Sequence, residues 1–361
     1  MNLRKSIFVF FSFLLICQSS FLLAQKHNYG ILTSPRIGYL LPHRSTMAHL
    51  VRGHAFGAEL SVVLQTNGEK QWHHDFNFPE INLGVFYGDL GNRDVLGHAI
   101  GFTGGIYLPF FKRNGWSLGT DLEVGLGYVT KHYDVITNPK NNAIGSHVNS
   151  IVGFGLQFEK KLVQHAIGMK VSMTHLSNGA FQLPNLGVNL PFFAVSYAYY
   201  FKPLNTFNEA SVEREGQALK TWNFYTQLIV SAKQIYPTGG STYGVVALTN
   251  YTHYKIKNKC ILEAGVDFIY NESIVKYNQG DHGKDKNLQM GLYGAYVLPI
   301  HRFQILVGMG RYLYNPLDPA GMWYHKFGSR FKITDRLWAN ITIKSHWAKA
   351  DYFEYGLTFR W

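Results

Sequence analysis

Apolar and polar residues alternate along most of this chain with a period of two. In "WNFYTQLIVSA", Trp222, Phe224, Leu228 and Val230 share one face, and Asn223, Gln227 and Ser231 share the other. In "RLWANITIKSH", Leu337, Ala339, Ile341 and Ile343 face one way, against Trp338, Asn340, Thr342 and Lys344. The final segment sets Phe353, Tyr355, Leu357, Phe359 and Trp361 against Glu354, Gly356, Thr358 and Arg360. Successive side chains of a pleated strand point to opposite faces, so this pattern predicts strands with one apolar and one polar side. About sixteen such segments can be counted. Their connections alternate in length. Short ones fall near Asn67, Lys112, Lys160, Lys255, Pro299 and Thr334, and long ones at "YDVITNPKNNAIG", "THLSNGAFQLPNLGVN", "NESIVKYNQGDHGKDK" and "YNPLDPAG". The expected fold is therefore all-β, a transmembrane antiparallel β-barrel with its apolar face to lipid, its polar face to the lumen and its long loops outside the cell. Only helices and closed barrels can cross a bilayer with every backbone polar group paired.

One connection breaks the rhythm. Residues 203–220, "PLNTFNEASVEREGQALK", stand where a short periplasmic turn is due but are long and charged. This linker divides the chain into halves of about eight strands. The expected arrangement is one barrel of about 14–16 strands, with residues 221–361 completing it. The alternative is two eight-stranded barrels in tandem.

Composition agrees with a barrel. Charged residues are only 16% and aromatics 16%, with 36 Gly against 12 Pro. Residues 1–24 read as a signal peptide: a basic "MNLRK", an apolar "SIFVFFSFLLICQSSFLLA" and a plausible cleavage after Ala24. Cys260 is then the remaining cysteine, which excludes an internal disulfide. The net charge of +12 suits an anionic membrane surface. No cluster of Lys and Arg interleaved with aromatics points to a nucleic-acid partner. "QWHHDF" (His73, His74, Asp75) is read as a strand, where adjacent histidines point to opposite faces and cannot share an ion. No metal or cofactor is expected.

Candidate chemistry lies in "HAIGMKVSMTHLSNGAFQLPNLGVN". Ala166, Gly168, Lys170, Ser172 and Thr174 take the lumen parity, and Ile167, Met169, Val171 and Met173 the outer one. His175 and Ser177 continue the outer face, and Asn189 shares it on the next strand, with Phe193, Val195, Tyr197 and Tyr199. His175 stands about ten residues beyond the preceding short turn. At ~3.3 Å per residue and a tilt near ~40°, that is a rise of ~25 Å, the height of the apolar band. Polar groups there meet lipid head groups and ester linkages, not hydrocarbon. A serine hydroxyl becomes nucleophilic when a histidine takes its proton. A third group must fix that histidine, and Asn189 has an amide oxygen to offer, though no negative charge. Asn178 and the main chain of Gly179 are close enough to donate to an oxyanion.

These residues resemble the PagL family of outer-membrane lipid A 3-O-deacylases (acyloxyacyl hydrolase-like). That family carries His-x-Ser-Asn, then Pro-Asn-x-Gly, then an acidic residue twelve positions after the serine. "HLSNGAFQLPNLGVN" keeps the spacing, with Asn189 where the best-known members have Glu. The resemblance spans roughly residues 30–202. It implies that residues 25–202 carry the active site, with His175 as base, Ser177 as nucleophile and Asn178 in the oxyanion hole. Outer-membrane phospholipase A is similar too, with His-x-Ser-Asn-Gly and an Asn third member, but "PNLG" favours the deacylase. Either implies a serine esterase of the bacterial outer membrane acting on outer-leaflet lipid, with lipid A (lipopolysaccharide) as the favoured substrate. The final aromatic resembles the end that the barrel assembly machinery reads in such proteins.

Overall fold

The computed structural model describes residues 28–204, 221–278, 283–317, 320–347 and 349–361. The proposed signal peptide and residues 205–220 of the linker lie outside them.

The strands form two closed barrels, each of eight antiparallel strands in chain order. The first comprises β1 (Asn28–Tyr39), β2 (His54–Gln65), β3 (Glu80–Asp89), β4 (His98–Arg113), β5 (Trp116–Val129), β6 (Val148–Lys161), β7 (His165–Ser177) and β8 (Val188–Tyr200). The second comprises β9 (Thr221–Gln234), β10 (Thr242–Lys257), β11 (Cys260–Asn271), β12 (Leu288–Ile300), β13 (Phe303–Tyr314), β14 (Trp323–Lys332), β15 (Leu337–His346) and β16 (Lys349–Arg360). The first closes where β8 returns to β1, from Gly30 opposite Tyr200 to Gly38 opposite Phe192. The second closes where β16 pairs with β9, from Tyr355 opposite Val230 to Arg360 opposite Tyr225. The expected single wide barrel is thus corrected: residues 221–361 close on themselves and do not complete the first barrel, and the tandem alternative holds.

The lumen contents explain this closure. Eight strands leave an interior that side chains can fill. In the first barrel Lys170 of β7 bonds Asp121 at 2.7 Å and Glu123 at 2.6 Å, both on β5, and approaches Glu59 of β2 to 3.9 Å. Arg36 of β1 pairs with Glu59 at 2.5 Å. In the second, Arg330 of β14 bonds both carboxylate oxygens of Glu263 on β11, at 2.5 and 2.9 Å. Lys326 reaches Asp267 at 2.7 Å. A buried charge needs a partner, and these partners sit on distant strands of the same small barrel. A wide barrel would draw them apart.

The predicted parity holds in both barrels. Ile167, Met169 and Val171 are exposed outside while Lys170, Ser172 and Thr174 are buried inside. Tyr355, Leu357 and Phe359 face out while Glu354 and Thr358 are buried. Long loops gather at one end and tight turns, such as Asn114–Gly115, at the other. The connection from β2 to β3 departs from expectation. It is not a short turn near Asn67 but spans residues 66–79, and "QWHHD" is a short helix there (Gln71–Asp75), not a strand. His74 bonds the Gly68 carbonyl, so the segment folds back on itself. It also docks on the second barrel: Trp72 stacks on His301 with centroids 5.7 Å apart, and Lys259 lies over Phe76.

Above the ion pairs of the first barrel, the long-loop end is sealed by apolar side chains. Leu40, Met47, Leu50, Leu90, Leu96, Ile144, Leu176, Val188 and Leu190 are all fully buried in one cluster. Leu176, Val188 and Leu190 are the inward neighbours of the outward His175, Ser177 and Asn189. The cap therefore clamps both strands at the depth where the candidate residues stand.

Candidate active site

β7 and β8 place His175 opposite Asn189. The two outward side chains meet: His175 Nδ1 lies 2.6 Å from Asn189 Oδ1. Ser177, one outward position further along β7, is where the strand ends and the β7–β8 loop begins. The loop, residues 178–187, folds back over the wall, so Ser177 is only 3% exposed. Outward parity was legible in the chain; the burial was not, because it comes from this covering loop.

The loop turns through two glycines in the left-handed region, Gly179 (φ 64°) and Gly187 (φ 78°). Gly187 also needs its missing side chain for space, since a Cβ there would sit 2.6 Å from His175 Cε1. The turns bring two donors to Ser177 Oγ. The Gly179 N–H reaches it at 3.1 Å and Asn185 Nδ2 at 2.9 Å. Asn178 turns elsewhere: its Nδ2 donates to Ser146 Oγ and to the Gln182 carbonyl, both at 2.9 Å. Its N–H donates to Asn185 Oδ1 at 3.2 Å, which leaves the Asn185 NH2 facing Ser177. Among the described residues no hydrogen bond joins Ser177 to His175. The ring stands on the same face two residues away, with Nε2 beside Gly187.

A further residue completes the arrangement. His43, in the loop after β1, has its Nδ1 3.0 Å from Asn189 Nδ2. Asn189 Nδ2 is an amide NH2 that can only donate, so His43 Nδ1 is the acceptor. It takes an Asn189 N–H, and the Asn189 oxygen is directed at His175. The hydrogen-bond chain then reads in one direction, with Nδ1–H of His175 donating and Nε2 carrying the lone pair. Burial and the neighbouring Arg44 hold the His43 imidazole below the ordinary histidine range. Sequence periodicity could not find His43, which lies 146 residues from Asn189 in an irregular loop. Asn185 had a signal in "PNLG", but its contact with Ser177 depends on the folded loop.

Other histidines have local duties. His253 is buried in the second lumen, 2.6 Å from Glu263, and His147 stacks on Tyr128 at 4.8 Å. Among the described residues no group of three or more His, Cys, Asp or Glu side chains could hold a metal ion.

The family model described as lipid A 3-O-deacylase (PagL) matches residues 56–200, and that described as acyloxyacyl hydrolase, C-terminal domain, matches residues 221–361. No curated relative matches the chain. Among solved structures, a substituted porin of Rh. blastica is 10% identical, covers 93% of this chain and 99% of its own, and has a TM-score of 0.18. The FrpB iron transporter from Neisseria meningitidis is 8% identical over 92% of this chain and 69% of its own, with a TM-score of 0.22. Likenesses this loose carry no weight for this chain. The family matches do: one falls within the first barrel and the other spans the second, and the chain belongs to the lipid A 3-O-deacylase (PagL) family.

Proposed function

We propose that this protein is an outer-membrane serine esterase that removes an ester-linked acyl chain from lipid A in the outer leaflet. The observation that carries the proposal is the directional chain from His43 through Asn189 to His175, ending beside a serine that already holds two oxyanion-type donors. Ser177 is the nucleophile, His175 the base, Asn189 the residue that holds the imidazole, and Gly179 and Asn185 the oxyanion donors. Asn178 supports the hole by orienting Asn185.

In the reaction His175 Nε2 takes the Ser177 proton as Oγ attacks the ester carbonyl. The tetrahedral oxyanion then receives the Gly179 N–H and the Asn185 NH2, which point at the hydroxyl in the resting site. The sugar oxygen departs with the proton from His175, leaving an acyl-serine, and a water activated by the same imidazole releases the fatty acid. The Ser–His hydrogen bond forms when the substrate arrives, as catalytic hydrogen bonds of unliganded sites often do. An Asn third member holds the ring but adds no charge to the imidazolium, so turnover should be slower than with a carboxylate. The strands span the membrane, with the apolar outer face in lipid and the site at the outer interface.

Mass spectrometry of lipid A from cells expressing the wild type or Ser177→Ala tests this. Loss of one acyl chain with the wild type alone is expected. An unchanged lipid A in both would overturn the substrate, and lysophospholipid in the same extracts would point to a phospholipase.

A further inference from the structure

The β7–β8 loop is held from two sides. Its own barrel holds the far end, where the Gly187 N–H donates to the Ala143 carbonyl at 2.9 Å. The second barrel holds the near part through Gln234, the last residue of β9. The Gln234 N–H donates to the Ala180 carbonyl at 3.0 Å, and Gln234 Oε1 accepts the Leu183 N–H at 3.0 Å. The amide is fixed in this sense by its own Nε2, which donates to the Gly240 carbonyl at 3.2 Å. From β16, Phe353 packs against the turn: a Cβ on Gly179 would come within 2.3 Å of its ring.

These contacts fall between the two groups that reach Ser177. Ala180 follows Gly179 directly, and Leu183 precedes Asn185 by two residues. A loop of this length, rich in turns, has many conformations, and main-chain bonds at two points with a ring packed on a third remove most of them. We infer that Gln234 and Phe353 are positioning residues of the acyl-transfer site, and that the second barrel acts in catalysis by holding the Gly179 N–H and the Asn185 NH2 on Ser177. This rests on the esterase reading above.

If these contacts were only glue between the barrels, their loss would weaken packing and leave the reactivity of Ser177 unchanged. The full-length protein in detergent micelles, with Gln234→Leu, Gln234→Glu, Phe353→Ala and Phe353→Leu, separates the two. Two rates are read per folded barrel, the folded fraction coming from heat-modifiable gel mobility. They are labelling of Ser177 by a small fluorophosphonate, and kcat and KM for lipid A deacylation. Gln234→Leu removes the acceptor while keeping the shape. It should slow labelling and kcat by about tenfold, equal to ~1.4 kcal/mol, with KM little changed. Gln234→Glu keeps an oxygen for the Leu183 N–H but turns its second oxygen on the Gly240 carbonyl, so it should recover part of the rate lost in Gln234→Leu. Phe353→Ala should slow both rates, and Phe353→Leu less so.

Wild-type rates in Gln234→Leu and Phe353→Ala would overturn the inference, as would a Gln234→Glu as slow as Gln234→Leu. A wild type that labels at Ser177 but leaves lipid A intact would overturn the lipid A reading alone, and the labelling rates would still decide this inference. A wild type that neither labels nor deacylates would overturn both.

Discussion

The two barrels share strand number, outward apolar face and closed topology, yet their interiors differ. The first is capped at its long-loop end by aliphatic side chains, among them Leu40, Met47, Leu50, Leu90 and Leu176. The second is filled by tyrosines, including Tyr225, Tyr251, Tyr293, Tyr312, Tyr324 and Tyr352. Their hydroxyls tie into the ion pairs, with Tyr293 donating to Glu263 at 2.6 Å and Tyr324 to Asp267 at 2.7 Å. Lys344 lies over the faces of Tyr324 and Tyr312, 4.4 and 4.7 Å from their centroids. The aliphatic cap is a close-packed platform under one depth of β7 and β8, which an acyl-transfer site needs to hold its geometry. The tyrosine lumen is filled by side chains, so the outer surface and loop ends are what this barrel can offer. On the reading proposed above, one barrel carries the reaction and the other braces the loop that serves it.

The comparison breaks most completely at Ser177, the proposed nucleophile. Ser177→Ala, or His175→Ala, should lower kcat by about 10⁴-fold or more, measured as acyl release from lipid A, with both barrels still folded. Next in size are the lumen charges. Arg330→Met leaves Glu263 buried without its bidentate partner and should destabilise the second barrel by about 3–5 kcal/mol in denaturant titration. Lys170→Met should do the same to the first, where Asp121 and Glu123 lose their cation. If either change unfolds both barrels together, they are one cooperative unit; if the transitions separate, they are two.

Asn189→Ala removes the group that holds the imidazole and should cost about 1–3 kcal/mol in transition-state stabilisation, read from kcat/KM. His43→Ala should have a smaller effect, about tenfold at most, because Asn189 remains but loses the partner that orients its amide. The same residue predicts a pH dependence. His43 must be neutral at Nδ1 to accept from Asn189, and burial with Arg44 nearby depresses its proton affinity. The other titratable group facing it is His175. A histidine with a lowered folded pKa contributes stability above its unfolded value and loses it as pH falls. The orienting contact is therefore intact at neutral pH and lost as pH falls through the depressed His43 value. His175, as the proposed base, gives kcat an acidic limb of its own, so His43→Ala should leave that limb and make its fall less steep than in wild type.

Much of this molecule is written in its alternation. A strand pleat has a period of two, so the faces of β7 could be assigned from Ile167, Met169 and Val171 against Lys170, Ser172 and Thr174. His175, Ser177 and Asn189 could be placed on one outer face for the same reason. The rise per residue supplied an expected depth for them. The local spacing thus determined which side chains could meet and roughly where. The closure of the barrels was not legible, because every strand edge carries the same backbone donors and acceptors. Whether β8 pairs with β1 or with β9 is decided by which lumen lets Lys170 reach Asp121 and Glu123, and Arg330 reach Glu263. "QWHHD" became a helix because its fold-back onto Gly68 and its docking on His301 outweighed its alternation. His43, Asn185 and Gln234 likewise join the site through loops that have no period, held by contacts between residues far apart in the chain. Periodicity reports the local backbone, and only the tertiary structure reports which distant surfaces close on one another.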